Sequence, residues 1–456
     1  MERAITKRAI TVCIAMLFCC LPLFCCSARH EENGRENGGS EYMFEITQDK
    51  SVLKKGGTAT VTVSELSKDG EPQEKTIVWH SSDEAVAAVT GGTVIAVAAG
   101  TAEIYAEFTE NGDAVRSNSV TIDVYETAQT IDITDPRQVN YYGRNVFGES
   151  AVTLQNTASA FEVRFIGESL KAELSASGPG VRLKLYVNGE AAAEELSVGA
   201  EAEYTLAEGC DPESLNVVKA IKVNSADKGT VVLGGLSTDG EFATPPAKPA
   251  LKLEFYGDSI TCGYGINNLD ADNAANEDGT ATYAYLTAEQ LGAQLYIQSY
   301  SGISLGLPMT TWGFGEEEYM AAMYDWVSPR VLSDKWDPAD YTADVIVVAL
   351  GTNDAAAVSS GLGSPSTLTD RAAQFIKTLR AGNATAEIVL CYGMMGVNAQ
   401  VDAALRSAVR ESGESGVHYL TMKQVSCTAF NGHPDKAGQA DGARQLTDFI
   451  EEKLGV

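Results

Sequence analysis

The C-terminal half of the chain alternates between short strand-like runs and longer helical runs, and this alternation constrains the fold most. The strand-like runs are 251–256, 294–299, 344–350, 387–392 and 417–421, and the helical runs lie near 280–292, 368–381, 398–412 and 436–454. Residues 345–350 are apolar at every position, as in a central strand that is covered on both faces. The pattern predicts an α/β domain over residues 248–456, with a doubly wound parallel sheet covered by helices on both faces.

Three residues that could take part in catalysis each follow a strand-like run closely: Ser259, Gly302 and Asn353. Because ligands of such folds bind outside the carboxyl ends of the strands, we expect these residues to converge there. A serine nucleophile and an asparagine donor are components of an acyl-transfer site, and glycine lets a backbone N–H approach a reacting carbonyl closely.

An acyl-transfer site also needs a base, and the chain has four histidines. His30 lies in a polar N-terminal stretch and His80 in a β-rich segment. His418 begins a strand-like run, where we expect a core role. His433 lies in a loop before the last helical run and is the candidate base.

The residues around these candidates resemble a known superfamily. Residues 255–265 read FYGDSITCGYG and resemble the first block of the SGNH (GDSL) hydrolases, and more narrowly of carbohydrate esterase family 2. Gly302, Asn353 and His433 occupy the positions of the second, third and final blocks. The resemblance implies that Ser259 is the nucleophile and His433 the base. It also implies an oxyanion hole formed by the N–H groups of Ser259 and Gly302 and the amide of Asn353.

The final block departs from the usual superfamily pattern of Asp-x-x-His, because Phe430 stands where the acid is expected. Some members of carbohydrate esterase family 2 work with a Ser-His dyad whose imidazole is held by backbone carbonyls. Asp435 and Asp354 are alternative orienting groups. We expect Asp435 to cap the last helix and Asp354 to brace its loop, and no catalytic acid is assigned.

The N-terminal half is β-rich, with alternating runs separated by turn residues. We expect two all-β sandwich domains, at 44–125 and 126–247, the second of jelly-roll type. Residues 244–249 read TPPAKP and mark the boundary with the C-terminal domain. The second sandwich either binds carbohydrate or serves only as a packing partner, and both interpretations remain open.

The first sandwich also resembles a known family. Residues 78–87 and 92–102 are similar to the group 2 bacterial immunoglobulin-like domain, with a Trp, a Ser-Ser-Asp turn and a Gly-Thr before the last strands. The resemblance implies a spacer or adhesion module without chemistry of its own. Trp79 is then expected in the core, and His80 at an exposed strand position.

The first 26 residues have the features of a secretory signal, because basic residues precede an apolar run that is short for a membrane anchor. Residues 23–27 read LFCCS and resemble a bacterial lipobox, which implies lipidation of Cys26; plain secretion is the alternative. Residues 27–43 are polar and Gly-rich and predict a flexible tether. We expect an exported protein, lipid-anchored at the cell surface or outer membrane, or otherwise secreted or periplasmic.

The net charge and the spacing of the cysteines exclude some classes of ligand. With 33 basic and 62 acidic residues the formal charge is −29, which argues against nucleic acid and polyanionic substrates and favours a neutral polymer. Four cysteines remain beyond the signal: Cys210, Cys262, Cys391 and Cys427. They are scattered without a CxxC pair, so zinc is not expected. One disulfide or free buried thiols both fit an exported protein.

The family resemblance implies removal of O-acetyl groups from plant polysaccharides such as acetylated xylan or glucomannan, without metal or cofactor. Trp312 is the best candidate for an aromatic residue of the cleft. Two alternatives are a broad-specificity SGNH lipase or thioesterase and a non-catalytic surface glycan-binding or adhesion protein. A monomer is favoured.

Overall fold

The computed structural model describes residues 42–331 and 334–455. Cys26, the predicted signal and residues 27–41 of the predicted tether lie outside these ranges. None of the helices within the described ranges is long and apolar enough to cross a membrane.

The first β region consists of two sheets that enclose one core. One sheet has the strand order Tyr42–Gln48, Thr58–Lys68, Thr93–Ala96, Ala87–Thr90, with Glu71–Pro72 paired to the second of these. The other has the order Val52–Lys54, Val120–Tyr125, Gly100–Glu110, Val78–Ser81, with Asp113–Arg116 paired to the third. Alternate residues such as Ile46, Ile104 and Ile122 are fully buried between the sheets.

Two details of this region differ from the sequence-based predictions. The predicted tether extends to residue 43, but Tyr42 and Met43 already belong to the first strand, because that strand pairs with Thr58–Lys68 from its first residue. Trp79 packs against the core as predicted, although it is partly exposed. His80 is half-buried rather than exposed, because its ring stacks on Tyr105 at 5.0 Å.

The second β region also has two sheets, whose strands all pair antiparallel. One sheet has the order Thr127–Ala128, Glu241–Ala243, Ala160–Ile166, Asn216–Lys222, Val181–Val187, Glu190–Ala191. In addition, Asn140–Tyr142 pairs with the third of these strands and Leu196–Val198 with the fifth. The other has the order Asn145–Phe147, Val152–Leu154, Val231–Thr238, Ser169–Ala176, Ala202–Glu208. The core between them includes the buried Phe161, Phe165 and Leu174.

The third region is built on a five-stranded parallel sheet. Its strands are β1 (Lys252–Gly257), β2 (Gln294–Ser299), β3 (Val345–Ala349), β4 (Glu387–Tyr392) and β5 (Val417–Thr421), in the order β2-β1-β3-β4-β5. The predicted bounds of β2, β4 and β5 are confirmed, and those of β1 and β3 differ by one residue at each end. In the register, Gly257 lies opposite both Ser299 and Ala349, so the carboxyl ends of three strands are level.

Seven α-helices accompany this sheet in the described residues. They are α1 (Ser259–Cys262), α2 (Tyr283–Gln290), α3 (Met320–Met323), α4 (Thr352–Ser359), α5 (Pro365–Gly382), α6 (Ala399–Ser412) and α7 (Lys436–Leu454). Ile346 and Val348 of β3 pack with α5 and α6, while Val345 and Val347 pack with α2 and α7. Because side chains alternate along a strand, one apolar strand supplies both cores. Helix α4 was not predicted from the sequence.

The edge position of β5 corrects the prediction for His418. All five residues of β5 are only half-buried, and His418 Nε2 lies 2.7 Å from Glu387 Oε2 on the neighbouring strand. The predicted core role is therefore wrong, because β5 has a neighbour on one side only. In the part of the chain that the structure describes, all four cysteines are free, which agrees with the free-thiol alternative.

Buried polar contacts connect the second β region to the parallel sheet. The Arg144 guanidinium is 1% exposed; it donates to Glu254 Oε1 at 2.8 Å and to the Tyr256 hydroxyl at 2.7 Å, both on β1. Asn156 donates to the Val327 carbonyl at 2.7 Å. Because a buried charge is tolerated only when it is paired, these contacts fix the two regions against each other.

Candidate active site

Ser259 is placed by a tight strand-to-helix junction. Strand β1 ends at Gly257, and the Asp258 carboxylate caps α1 by accepting a hydrogen bond from the Ile260 N–H at 3.0 Å. A Cβ on Gly257 would lie 2.0 Å from the Thr261 hydroxyl, so only glycine fits this turn. Ser259 is thereby held as the first residue of α1, directly beyond the carboxyl end of the strand.

His433 approaches Ser259 from the loop before α7. Its Nε2 lies 2.8 Å from the Ser259 hydroxyl, although 174 residues separate the two in the chain. The loop is closed by a hydrogen bond from the Ala429 N–H to the His433 carbonyl at 3.1 Å. The Asp435 carboxylate caps α7 through the Gly438 N–H at 2.8 Å, as predicted, and is therefore not the orienting acid.

The other imidazole nitrogen of His433 has no carboxylate partner. Within the described residues, the buried Nδ1 makes no hydrogen bond of good geometry. Burial lowers the pKa of the ring, while the backbone carbonyls of Asn431 and Phe430 oppose this by favouring the charged form. The net pKa lies below the ordinary value for histidine, so the ring is neutral and able to accept a proton at neutral pH.

Asn353 contacts the segments that carry the other two candidate oxyanion donors, Ser259 and Gly302. Within the described residues, the N–H groups of Ser259 and Gly302 donate no hydrogen bond outside their own secondary-structure elements. Asn353 lies in the first turn of α4 and donates to the Ile303 carbonyl at 2.7 Å, with a longer contact of 3.4 Å to Asp258. Asn353 thus connects the residue after Gly302 with the residue before Ser259.

Asp354 braces the segment that follows Gly302. Its buried carboxylate accepts hydrogen bonds at 2.8–3.0 Å from the N–H groups of Leu305, Gly306 and Leu307. Asp354 thus has a bracing role, but the segment that it braces follows Gly302 and is not its own, because Asp354 lies in α4. Burial and the nearby charge of Asp354 raise the pKa of Asp258 to about 7.

The three tryptophans of the C-terminal region have different surroundings. Trp312 lies on a short 3₁₀-helix, Thr310–Trp312, is 54% exposed and stands beside Gly302, where a Cβ would lie 3.6 Å from its ring. Trp326 and Trp336 are half-buried, and Trp336 packs edge-to-face on Tyr296 at 6.0 Å. Of the three, Trp312 is the one placed next to a predicted oxyanion residue.

Sequence reasoning missed the contribution of Tyr264. Its ring lies 4.8 Å from the ring of His433, and its hydroxyl accepts a hydrogen bond from Asn431 Nδ2 at 3.1 Å. Tyr264 stands inside the block 255–265, but a pattern of residues does not show which side chain meets a loop 169 positions further along the chain.

Two parts of the chain match models of known protein families. Residues 255–445 match the model of the GDSL-like lipase/acylhydrolase family. The C-terminal domain is a GDSL-like lipase/acylhydrolase domain. Residues 42–117 match the bacterial Ig-like domain (group 2), so both resemblances seen in the sequence are confirmed.

Curated relatives of the GDSL-like domain are esterases. An acetylxylan esterase / glucomannan deacetylase of Cellvibrio japonicus is 28% identical over 233 residues, which cover 49% of this chain and 63% of that protein. The cellulase/esterase CelE of Acetivibrio thermocellus is 29% identical over 229 residues, covering 47% of this chain and 27% of that protein. The chain therefore spans less than two thirds of the length of each of these relatives.

Solved structures match a larger share of the chain. A family two carbohydrate esterase from Clostridium thermocellum, in complex with cellohexaose, is 25% identical with a TM-score of 0.62, covering 70% of this chain and 99% of that chain. A family two carbohydrate esterase from Cellvibrio japonicus is 24% identical with a TM-score of 0.63, covering 72% and 98%. The chain is thus multidomain, with a β-rich N-terminal part and an SGNH hydrolase-like fold that is similar to those of these family two carbohydrate esterases.

Proposed function

We propose that this protein is an exported serine esterase that removes O-acetyl groups from plant cell-wall polysaccharides such as acetylated xylan or glucomannan. The observation that carries the proposal is the 2.8 Å contact between His433 Nε2 and the Ser259 hydroxyl at the carboxyl end of β1. Nucleophile and base within hydrogen-bond reach are the geometric signature of covalent acyl transfer. The relatives whose names include esterase or deacetylase support the reaction class.

The reaction proceeds by double displacement. Neutral His433 takes the proton of Ser259 as its oxygen attacks the ester carbonyl, and the imidazolium then protonates the departing sugar hydroxyl. Water, activated by the same imidazole, hydrolyses the acetyl-enzyme and releases acetate. The oxyanion of each tetrahedral intermediate accepts hydrogen bonds from the N–H groups of Ser259 and Gly302 and from the Asn353 amide, which exchanges its 3.4 Å contact with Asp258 for the oxyanion.

The base acts in a Ser-His dyad. The proximity of the Phe430 and Asn431 carbonyls supports this view, because carbonyl oxygens favour the imidazolium that forms during attack. Tyr264 supports it as well, because its ring contact restricts the orientation of the imidazole. In this proposal, groups of the protein and water carry out the hydrolysis without a metal or cofactor.

A neutral polysaccharide fits the surroundings of the site. Trp312 offers an exposed ring beside Gly302, and aromatic rings provide large contact area at low entropic cost. The formal charge of −29 disfavours polyanions. In the same proposal, a lipid at Cys26 anchors the protein, or it is secreted. An Ig-like spacer (44–125) and a jelly-roll sandwich (126–247) then precede a doubly wound catalytic domain (248–456).

The test is acetate release from acetylated xylan and acetylated glucomannan by the full chain. Wild type is compared with Ser259→Ala and His433→Ala, and His80→Ala in the Ig-like region is the matched histidine control. We expect release by wild type and His80→Ala, and its loss by at least about 10³-fold in the other two variants.

Other outcomes contradict separate parts of the proposal. Hydrolysis of a short-chain aryl acetate without release from either polymer would show that the substrate assignment is wrong. Absence of turnover with every ester would show that the site is not catalytic, and would leave glycan binding as the function.

A further inference from the structure

A cleft of about 590 Å³ lies between the second β region and the parallel-sheet domain, and its lining includes none of the candidate active-site residues. Its walls include Tyr141, Asn145 and Phe147 from the β region, and Tyr296, Trp336 and Asp340 from the other domain. Ligand sites occur preferentially in such clefts between domains.

An exposed aromatic ring marks this cleft. Among the Phe, Tyr and Trp residues that the structure describes, two are exposed: Trp312 at 54% and Phe147 at 45%. Trp312 stands at the candidate active site, whereas Phe147 lines this cleft. The Phe147 ring is held edge-to-face by Tyr141 at 5.1 Å, so its orientation is fixed without a ligand. A fixed, exposed ring is a suitable surface for the apolar face of a sugar.

Polar groups of both signs accompany the ring. Lys248 and Asp340 line the cleft together with Thr134. Asn145 is 4% exposed, and within the described residues its Oδ1 is buried without a hydrogen-bond partner, although its Nδ2 donates to the Tyr142 and Gly143 carbonyls. Mixed charges, a hydroxyl and an amide suit a neutral polyhydroxylated ligand better than an ionic one.

The cleft is preformed. Arg144 stands between the lining residues Gly143 and Asn145, and its side chain reaches across the domain boundary to Glu254 at 2.8 Å and to the Trp326 carbonyl at 2.7 Å. These buried bonds fix one wall of the cleft relative to the other. A ligand that binds there therefore does not have to order the walls, which lowers the cost of binding.

The cleft lies near the amino ends of the parallel strands, and the candidate active site lies at their carboxyl ends. Lys248 precedes β1 and Asp340 precedes β3, whereas Ser259 and Asn353 follow the same two strands. At a rise of ~3.3 Å per residue, the length of these strands separates their two ends by roughly 15–20 Å. Occupancy of one site therefore does not require the chemistry of the other.

We propose that this cleft is a second, non-catalytic binding site for a neutral polysaccharide chain, with Phe147 as its stacking platform. Such a site goes beyond the esterase reaction, because it holds polymer whether or not the sugar bears an acetyl group. It keeps the enzyme on a polymer while the catalytic serine acts elsewhere along that chain or on a neighbouring one.

The test is calorimetric binding of unacetylated xylohexaose, cellohexaose and mannohexaose to the full chain, with retention on the matching polymers in affinity gels. Phe147→Ala and Asp340→Ala probe the two walls independently. Trp312→Ala probes the candidate active site, and Val97→Ala, an exposed apolar position in the Ig-like region, is the control. Thermal melts verify that each variant is folded.

We expect wild type to bind at least one hexasaccharide, and Phe147→Ala to weaken its affinity about tenfold or more. Asp340→Ala should weaken it to a smaller extent, and Val97→Ala should leave it unchanged. The proposal is overturned if wild type binds none of the three, or if Trp312→Ala alone reduces binding, because binding would then reside at the active site. Wild-type affinity in folded Phe147→Ala and Asp340→Ala would also overturn it.

Discussion

The ring of Tyr264 lies 4.8 Å from the imidazole of His433, and its hydroxyl accepts a hydrogen bond from the Asn431 amide at 3.1 Å. Asn431 has a positive φ of 54°, which turns the chain between Phe430 and His433. Tyr264 therefore contacts both the imidazole of the proposed base and the turn that carries it. In a site without an orienting acid, these contacts limit the motion of the imidazole.

Replacing Tyr264 should separate ring packing from hydrogen bonding. Tyr264→Phe keeps the ring and is expected to lower kcat on an aryl acetate only a few fold. Tyr264→Ala removes both contacts and is expected to lower kcat at least about tenfold with a smaller change in KM, because positioning acts on the transition state. Steady-state kinetics provide both values. Equal kcat in the two variants would contradict a role for the ring.

The depressed pKa of His433 predicts the pH dependence of the esterase. Burial disfavours the imidazolium, so the base stays neutral below the ordinary histidine pKa, and kcat/KM should remain high to below about pH 6.5. Phe430→Asp restores the superfamily acid three residues before the histidine. Because a nearby carboxylate favours the imidazolium, this variant should shift the acidic limb upward by about one pH unit.

Profiles of kcat/KM between pH 4 and 9 measure this shift, and Phe430→Asn is the uncharged control. Coincident acidic limbs in the Asp and Asn variants would show that position 430 does not communicate with the imidazole.

The sequence was most informative where local patterns determine structure. Alternating periodicity predicted the bounds of β2, β4 and β5, and the residues that follow β1 and β3 predicted the place of Ser259 and Asn353. The contact between His433 and Ser259 was predicted through the family resemblance, and the structure confirms it. Helix α4 was missed because its sequence, TNDAAAVS, is short and has no amphipathic pattern.

Features that depend on residues far apart in the chain could not be predicted from local sequence patterns. His418 reads as a core residue, but β5 lies at the edge of the sheet, and strand order cannot be read from strand composition. The same limit applies to Arg144, an ordinary loop arginine in sequence whose partner Glu254 is 110 residues away. The raised pKa of Asp258 likewise depends on burial that only the packed structure shows.

The buried Asp258 predicts a stability that falls as pH rises. Its pKa in the folded protein, about 7, lies above the ordinary value of about 4, so folding favours the protonated carboxyl. This contribution is fully present below about pH 4 and is lost as pH rises toward 7. Asp258→Asn retains the helix cap but cannot ionise. The decrease in the free energy of unfolding between pH 4 and pH 8 should therefore be smaller in this variant than in wild type, by on the order of 2–4 kcal/mol.

Urea denaturation at pH 4, 5.5, 7 and 8 measures this dependence, and Asp113→Asn, an exposed position in the Ig-like region, is the control. Identical pH dependence in Asp258→Asn and wild type would show that folding does not raise the pKa of this carboxyl.

The ion pair between Arg144 and Glu254 predicts a strong contribution to the attachment of the second β region. Both side chains are at most 4% exposed, so Arg144→Met leaves a buried carboxylate without its partner and should cost roughly 3–5 kcal/mol. Lys171→Met removes a pair of the same 2.8 Å length whose side chains are 44% and 54% exposed, and should cost less than about 1 kcal/mol. Urea denaturation of both variants measures the difference.

Because Arg144 also bonds to the carbonyls of Tyr324 and Trp326, its loss should additionally separate the thermal transitions of the two domains. Equal destabilisation by the two substitutions would show that the buried pair does not hold the domains together.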